Sequence, residues 1–324
     1  MQVKITLQSA IQQFLIDQEL KGNTKSTLKY YSFDLRYLAE FLGNDKLVSE
    51  LTINDLNNYL LSIKNRPRKC YFSENSENIK DKSPVTSVTV QTYIRAVRSF
   101  LGYLYREGYI SENLQAKFKL PKATKKAIEI LSDEEIEKIF KCFDPNTSMG
   151  LRNMCLIALM VDCGLRRNEA LELEIDNIHI TQGIIKVLGK GQKERIVPIG
   201  LYTKKLLIKY LNGFRPTPEY ETKRLFLDRY MKPLTENGVK LLFNRIKAKT
   251  GITRLHPHIL RHTFATKYIM NGGDIISLQQ ILGHTSLDMV KKYSHLASAY
   301  LLQAHSKFAP LDNIERNKYK LRYN

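Results

Sequence analysis

The chain has 324 residues, 43% hydrophobic and 26% charged, a balance that excludes wholesale disorder and leaves room for two domains with cores of their own. Its 51 Lys and Arg against 32 Asp and Glu give a formal net charge of +19, which points to a polyanionic partner, nucleic acid first. The N-terminal MQVKITLQSAIQQFLIDQEL has no uninterrupted apolar stretch or small-residue cleavage site, and the longest apolar run, MCLIALMV, is too short to span a bilayer, so a cytosolic protein with no membrane partner is expected.

The first third predicts helices. A first helix begins near residue 7, which leaves no obvious extra domain ahead of it. In STLKYYSFDLRYLAEFL, Leu28, Tyr31, Leu35, Leu38 and Leu42 recur at helical spacing, with Lys29 and Arg36 off the stripe. A further helix is expected from TINDLNNYLLSI. In SVTVQTYIRAVRSFLGYLYREG, Val90, Ile94, Val97, Leu101 and Leu104 form the core face, while Arg95, Arg98 and Arg106 stay on the polar side. Between these two lies KNRPRKCYFSENSENIKDKSP, polar and interrupted by proline, which reads as a loop. Residues 119–131, KLPKATKKAIEIL, carry a proline and four lysines without a helical stripe, so a domain boundary is placed at 120–128.

Beyond the boundary, Ser132 followed by Glu135 predicts a capped helix start. MGLRNMCLIALMVDCG reads as a buried helix stopping at Gly164, and RNEALELE as another with Asn168 as a plausible cap. Period-two segments NIHI, GIIKVL and ERIVPI predict a small antiparallel sheet whose last two strands are joined by GKGQK. Helices resume at TENGVKLLFNRIKAKTG and HPHILRHTFATKYIMNGG. In LGHTSLDMVKKYSHL, Gly283 is expected to end one helix and Thr285 with Asp288 to open the next. The whole is mainly α with a small antiparallel β-sheet.

Several side chains are candidates for chemistry. Pro257 suits the first turn of a helix, which puts His258 at its N-terminus and Arg261 one turn later, where amide N–H groups, the helix dipole and a guanidinium can meet a phosphate. The alternative is an amphipathic helix with Leu260, Phe264 and Tyr268 inward and His258 solvated. Arg166 falls in an interhelical turn that Glu169 can brace; taken alone it reads as a surface charge, and it gains meaning if it converges with Arg261 on one phosphate. Lys190, between Gly189 and Gly191, sits at a hairpin tip and reads either as a groove-reaching ammonium or as a nonspecific phosphate clamp. Tyr293 shares a stripe with Met289, Val290 and Leu296 and reads by itself as a packed tyrosine; as a nucleophile it needs nearby cations or a base to lose its proton. Five histidines, at 256, 258, 262, 284 and 295, invite a metal, yet no H-E-x-x-H occurs and no acidic residue lies between His258 and His262. The absence of G-x-x-x-x-G-K-[ST] gives no support to a nucleotide loop, so no metal and no other cofactor is expected. Cys70, Cys142, Cys155 and Cys163 lack C-x-x-C spacing and read as reduced packing residues.

The ordered set GLRRNEA, GKGQKERIVPIG, HPHILRHTFAT and LGHTSLDMVKKY resembles the tyrosine recombinase family of phage and transposon integrases and Xer recombinases. The resemblance covers residues 127 to about 300 closely and the N-terminal helices more loosely. It implies a helical, SAM-like core-binding domain over 1–119, a linker over 120–128 and an α+β catalytic domain over 129–324 with a C-terminal interaction tail, the two domains forming a C-shaped clamp on DNA. By this resemblance Arg166 and Arg261 are the catalytic arginines, Lys190 the hairpin lysine that protonates the departing 5′ oxygen, and His258 the histidine that accepts or orients the tyrosine proton. His284 is the second histidine and Tyr293 the nucleophile, forming a 3′-phosphotyrosyl intermediate, with Glu169 in support. Lys29, Arg95, Arg98, Lys122, Lys125, Lys126, Lys193 and Arg195 are the candidate DNA contacts.

The resemblance also implies double-stranded DNA with specific core sites, a homotetramer working through a Holliday junction with each C-terminal segment packed on a neighbour, and accessory DNA-bending proteins in some members. Two features depart from the compact Xer pattern: a long loop from Lys64 to Pro84, and Arg167-Asn168 after GLR. They tilt the expectation towards integration or excision of a mobile element over dimer resolution. A type IB topoisomerase-like enzyme and a noncatalytic DNA-binding regulator are the alternatives.

Overall fold

A computed structural model describes residues 4–67, 83–122, 129–189, 194–218, 221–283, 309–311 and 314. The chain divides into two compact units, Met1–Lys126 and Ala127–Asn324.

The first unit is built from α1 (Leu7–Leu20), α2 (Lys25–Leu42), α3 (Ile53–Lys64), α4 (Ser87–Arg106) and the short α5 (Leu114–Lys117). Thr6, Thr24, Thr52 and Thr86 cap the first four, each hydroxyl accepting an amide of the first turn, and Asp55 completes a capping box on Thr52. The α4 stripe of Val90, Ile94, Val97, Leu101 and Leu104 is buried throughout and meets Leu35 and Leu38 of α2 and Leu56 of α3 in one core. Phe14 fills its centre, edge-on to Tyr31, Phe100 and Tyr103. The buried face of α2 is wider than the expected leucine stripe, since it also holds Asp34, Tyr37 and Ala39. Arg98 differs from the expectation of a solvent-side phosphate contact. Its Nη1 donates to the carbonyl of Gln115 at 2.7 Å and to that of Phe118, so the guanidinium caps the C-terminal end of α5.

The second unit contains α6 (Asp133–Lys141), α7 (Ser148–Val161), α8 (Arg167–Glu172), strands β1 (Ile178–His179), β2 (Ile184–Leu188) and β3 (Glu194–Pro198), then α9 (Leu201–Lys209), α10 (Glu236–Thr250), α11 (Pro257–Met270) and α12 (Ile275–Leu282). α7 is apolar on nearly every side and runs through the core, which explains why its sequence shows no polar face. It ends at Val161, and the turn that follows passes through Gly164 at φ 66°. Ser132 and Glu135 form a reciprocal capping box on α6. The buried hydroxyl of Thr263 on α11 accepts the amide of Leu131 at 2.9 Å and so fastens the start of this unit to α11.

The sheet is antiparallel in the order β1-β2-β3, with Lys186 opposite Ile196 and Val187 opposite Arg195. Ile185, Val187 and Val197 point into the core, so Arg195 lies on the same, inward side. The expected Asn168 cap is displaced: Arg166 is the N-cap of α8, because Glu169 at the third helical position accepts its amide at 2.8 Å. Cys155 and Cys163 are free and buried in the core, and Cys142 is half-buried and free. Cys70 and the Thr285–Asp288 cap lie outside the described residues. No helix among the described residues is long and apolar enough to cross a membrane.

Candidate active site

The start of α8, β3 and α11 converge on one carboxylate, that of Glu169. Arg166 Nη1 donates to Glu169 Oε1 at 2.7 Å. Arg195 reaches across from β3 and pairs in the two-pronged manner, Nη1 to Oε1 at 2.9 Å and Nη2 to Oε2 at 2.8 Å. Arg261 Nη1, on α11, stands 3.9 Å from Oε2. Three guanidinium groups thus share a single carboxylate and the cluster remains cationic. Its side chains are layered: Arg195 and Arg261 are 10% and 7% exposed, whereas Arg166 is 35% exposed and presents the outer surface.

Burial disfavours ionisation of Glu169, but the hydrogen bonds and charge of Arg195, together with the amide and guanidinium of Arg166, outweigh it and hold the carboxyl down at about 2. Glu169 is therefore held as the carboxylate near neutral pH. This matters for the arginines, since three cations packed without a counter-charge repel one another in a water-poor site.

Arg261 binds two turns together. Its Nη1 donates to Gly164 O and its Nη2 to Leu282 O, each at 2.7 Å. Gly164 precedes the turn carrying Arg166, and Leu282 is the last residue of α12, next to Gly283. Both glycines are required by the backbone. Gly164 has φ 66° and a Cβ there would stand 2.5 Å from the Phe264 ring, while Gly283 has φ 62° and a Cβ would stand 2.8 Å from Arg195 Cδ. Arg195 also donates from Nε to Ile281 O at 2.7 Å. The last carbonyls of α12, left without partners by the helix itself, are met by two buried cations at the negative end of its dipole.

His258 stands at the N-terminal turn of α11, which opens with Pro257 after the His256 cap. The residue keeps part of its surface open to solvent, and its ring lies 6.4 Å from that of His256. Partial burial, then the charges of His256, Arg261, Arg167 and Arg166, lower its proton affinity below the ordinary histidine value. An imidazole held neutral beside cations is suited to accept a proton. Next to it, α8, α10 and the start of α11 border a groove of about 500 Å³ lined by Arg167, Lys240, Lys247 and His256, with Arg167 paired to Glu236 at 2.7 Å.

Of the residues expected from sequence, Arg166, Glu169, His258 and Arg261 lie in this second unit as described. Lys190, Lys193, His284, Tyr293, Lys125 and Lys126 lie outside the described residues. Lys29, Arg95 and Lys122 are exposed. Arg195 departs from its expected role as a phosphate contact, because all of its guanidinium nitrogens are committed to Glu169 and Ile281 O. Sequence held a signal for this: in ERIVP the period of two sets Arg195 on the side of Val197, and a charge on an inward strand position demands a buried partner.

Residues 129–299 match the model of the phage integrase family. The tyrosine recombinase XerC of Oceanobacillus iheyensis is 33% identical over 300 residues, covering 90% of this chain and 93% of that protein. The tyrosine recombinase XerD of Listeria innocua serovar 6a is 30% identical over 297 residues, covering 90% and 94%. Among solved structures, that of XerH site-specific recombinase bound to difH substrate as a pre-cleavage complex is similar with a TM-score of 0.63 at 25% identity, over 86% of this chain and 78% of that one. With four ordered motifs, this mainly helical fold and similarity along nearly the whole length, the chain belongs to the phage integrase family of tyrosine recombinases.

Proposed function

We propose that the second unit cuts and rejoins duplex DNA at specific core sites, with Tyr293 as nucleophile. The observation that carries this reading is the meeting of Arg166 and Arg261, from two distant motifs, at one buried carboxylate with His258 a turn away on α11. A scissile phosphate set against Arg166 gains negative charge as the tyrosine attacks, and fixed cations stabilise that charge more than the ground state. Arg166 contacts the phosphate from the exposed layer, and Arg261 acts from beneath it. His284 adds a donor to the same oxygens. His258 takes or orients the phenol proton, and Lys190 protonates the departing 5′ oxygen. The bond formed is tyrosine O to phosphorus and the bond broken is phosphorus to the 5′ oxygen, so the 3′-phosphotyrosyl linkage keeps a phosphodiester for religation by another 5′ hydroxyl.

The first unit, through Lys29, Arg95 and the adjoining Lys122, contributes phosphate contacts of a core-binding domain, supported by the net charge of +19. Lys125, Lys126 and Lys193 extend that role. Assembly is a homotetramer on two sites, with a Holliday junction between the two pairs of strand exchanges and C-terminal segments passed between neighbours. Integration or excision of a mobile element remains the reading drawn from the 64–84 segment and Arg167. Similarity to Xer recombinases over nine tenths of the chain favours a second one, resolution of chromosome or plasmid dimers.

The test begins with a duplex recovered from a random-sequence pool by its affinity for Tyr293→Phe protein. With a nick placed to trap cleavage, wild type is expected to give a denaturation-resistant protein–DNA adduct and Tyr293→Phe none. Equal adduct from that variant removes Tyr293 as nucleophile, and no adduct from wild type leaves a DNA-binding regulator. Relaxation of supercoils without exchange between two copies of the site supports the topoisomerase-like alternative. Two copies on one plasmid, compared with one copy on each of two, separate resolution from integration.

A further inference from the structure

Arg195 belongs to β3, which follows Lys190 in the chain, yet its guanidinium meets the end of α12, the helix from which the chain continues to His284 and Tyr293. One rigid planar group bonds Ile281 O with Nε and both oxygens of Glu169 with its two Nη atoms. Its Cδ also stands 2.8 Å from where a Cβ on residue 283 would fall, which together with a φ of 62° favours glycine at the turn that ends the helix. With Arg261 on Leu282 O, the last two carbonyls of α12 are fixed to β3 and α11. We propose that Arg195 is a positioning residue for DNA cleavage: it registers the end of α12, and hence the start of the segment bearing the nucleophile, against Glu169 and the arginines above it. This rests on the functional reading given above.

Arg195 touches no substrate in this scheme, so its loss is expected to slow chemistry and leave binding alone. A displacement of the order of 1 Å in a reacting group costs up to about a hundredfold in rate. Lysine at 195 keeps the charge but lacks the planar fork, so it cannot reproduce the paired bonds to both oxygens of Glu169 together with the one to Ile281 O. Glutamine loses the charge as well. Glu169 is then faced only by Arg166 from α8 and Arg261 from α11, and burial pushes its carboxyl upward. Cleavage by Arg195→Gln should therefore fall as the pH drops through that raised value and recover above it, whereas wild type shows no decline from Glu169 down to about pH 4, well above a carboxyl held at about 2.

The experiment measures affinity and single-turnover adduct formation on the same selected, nicked duplex for wild type, Arg195→Lys and Arg195→Gln. The expected result is affinity within about twofold of wild type for both, and adduct formation slowed about ten- to a hundredfold, with the acid limb in the glutamine variant only. Wild-type rates in both variants overturn the proposal. Parallel loss of affinity and rate also overturns it, whether by misfolding or because Arg195 holds phosphate. If wild type itself yields no adduct, the functional reading fails and this inference fails with it; an adduct from wild type with unaltered variants defeats the inference alone.

Discussion

Among the described residues two carboxylates are buried, Asp34 in the first unit and Glu169 in the second, and their surroundings drive them in opposite directions. Asp34, on α2, has an oxygen without a hydrogen-bond partner, and burial pushes its carboxyl up to about 7. Its negative charge in turn adds to burial in raising the phenols of Tyr59 and Tyr93. Glu169 is as deeply placed but surrounded by cations, and is held at about 2. Depth alone therefore says little about charge state. A buried acid left with tyrosines is on the way to neutrality near physiological pH, whereas one met by guanidiniums is a permanent anion. The first arrangement costs stability, and the second organises a site.

Removing the anion should have the largest effect. Glu169→Gln leaves Arg166, Arg195 and Arg261 around a neutral amide, and breaking a buried ion network from one side costs about 3–5 kcal/mol. The contribution of Glu169 comes from a depressed carboxyl: it is fully present above the ordinary value of 4.5 and is lost as the pH falls towards about 2. At pH near 7 the variant is expected to unfold its second unit at distinctly lower denaturant and to form no adduct, while amide exchange in α1 to α4 stays as in wild type. Unchanged stability in the second unit would mean that the three arginines need no counter-ion, and the contrast with Asp34 would lose its basis.

Asp34→Asn tests the other half, with opposite sign. The carboxyl is raised, from 3.8 to about 7, so the folded unit is progressively penalised as the pH rises through that interval and most of all above it. The asparagine variant should be more stable than wild type by about 1–3 kcal/mol near pH 8, and the gain should vanish near pH 4. Hydrogen exchange of α2 and α3 reads this locally, which is preferable to a single melting curve for a chain of two units. A gain independent of pH would show that the residue stays neutral throughout.

How much of this was legible in the sequence follows from the range over which each interaction acts. The α4 stripe, the Ser132 capping box, Pro257 opening α11 and Gly283 closing α12 are set by neighbours within a turn or two, and their patterns are visible. The paired convergence of Arg166 and Arg261 was legible only as a condition, that both meet one phosphate. What lay hidden was the far side of each charge. Arg98 finds its acceptors on α5, Arg195 on α8 and α12, and Arg261 on the turn at Gly164, partners that no local window contains. Asp34 was missed for a different reason: it adjoins Leu35 beside the leucine stripe, and the packing of both α3 and α4 against α2 widens the buried face to include it.

The smallest expected effect refines the Asp34 side. Tyr59 on α3 is fully buried, and its hydroxyl has no hydrogen-bond partner. A buried hydroxyl left unsatisfied opposes folding, so Tyr59→Phe, which keeps the ring against Phe41 and the core, should stabilise the first unit by about 1 kcal/mol or less. The sign is the informative part. If Tyr59 and Asp34 in fact share a buried water, removing the hydroxyl breaks that bridge and destabilises the unit instead. In the double variant with Asp34→Asn, independent groups would give additive changes, whereas a shared water would make the second substitution nearly without effect once the first is present. Exchange protection in α2 and α3, measured for both single variants and the pair, separates the two cases.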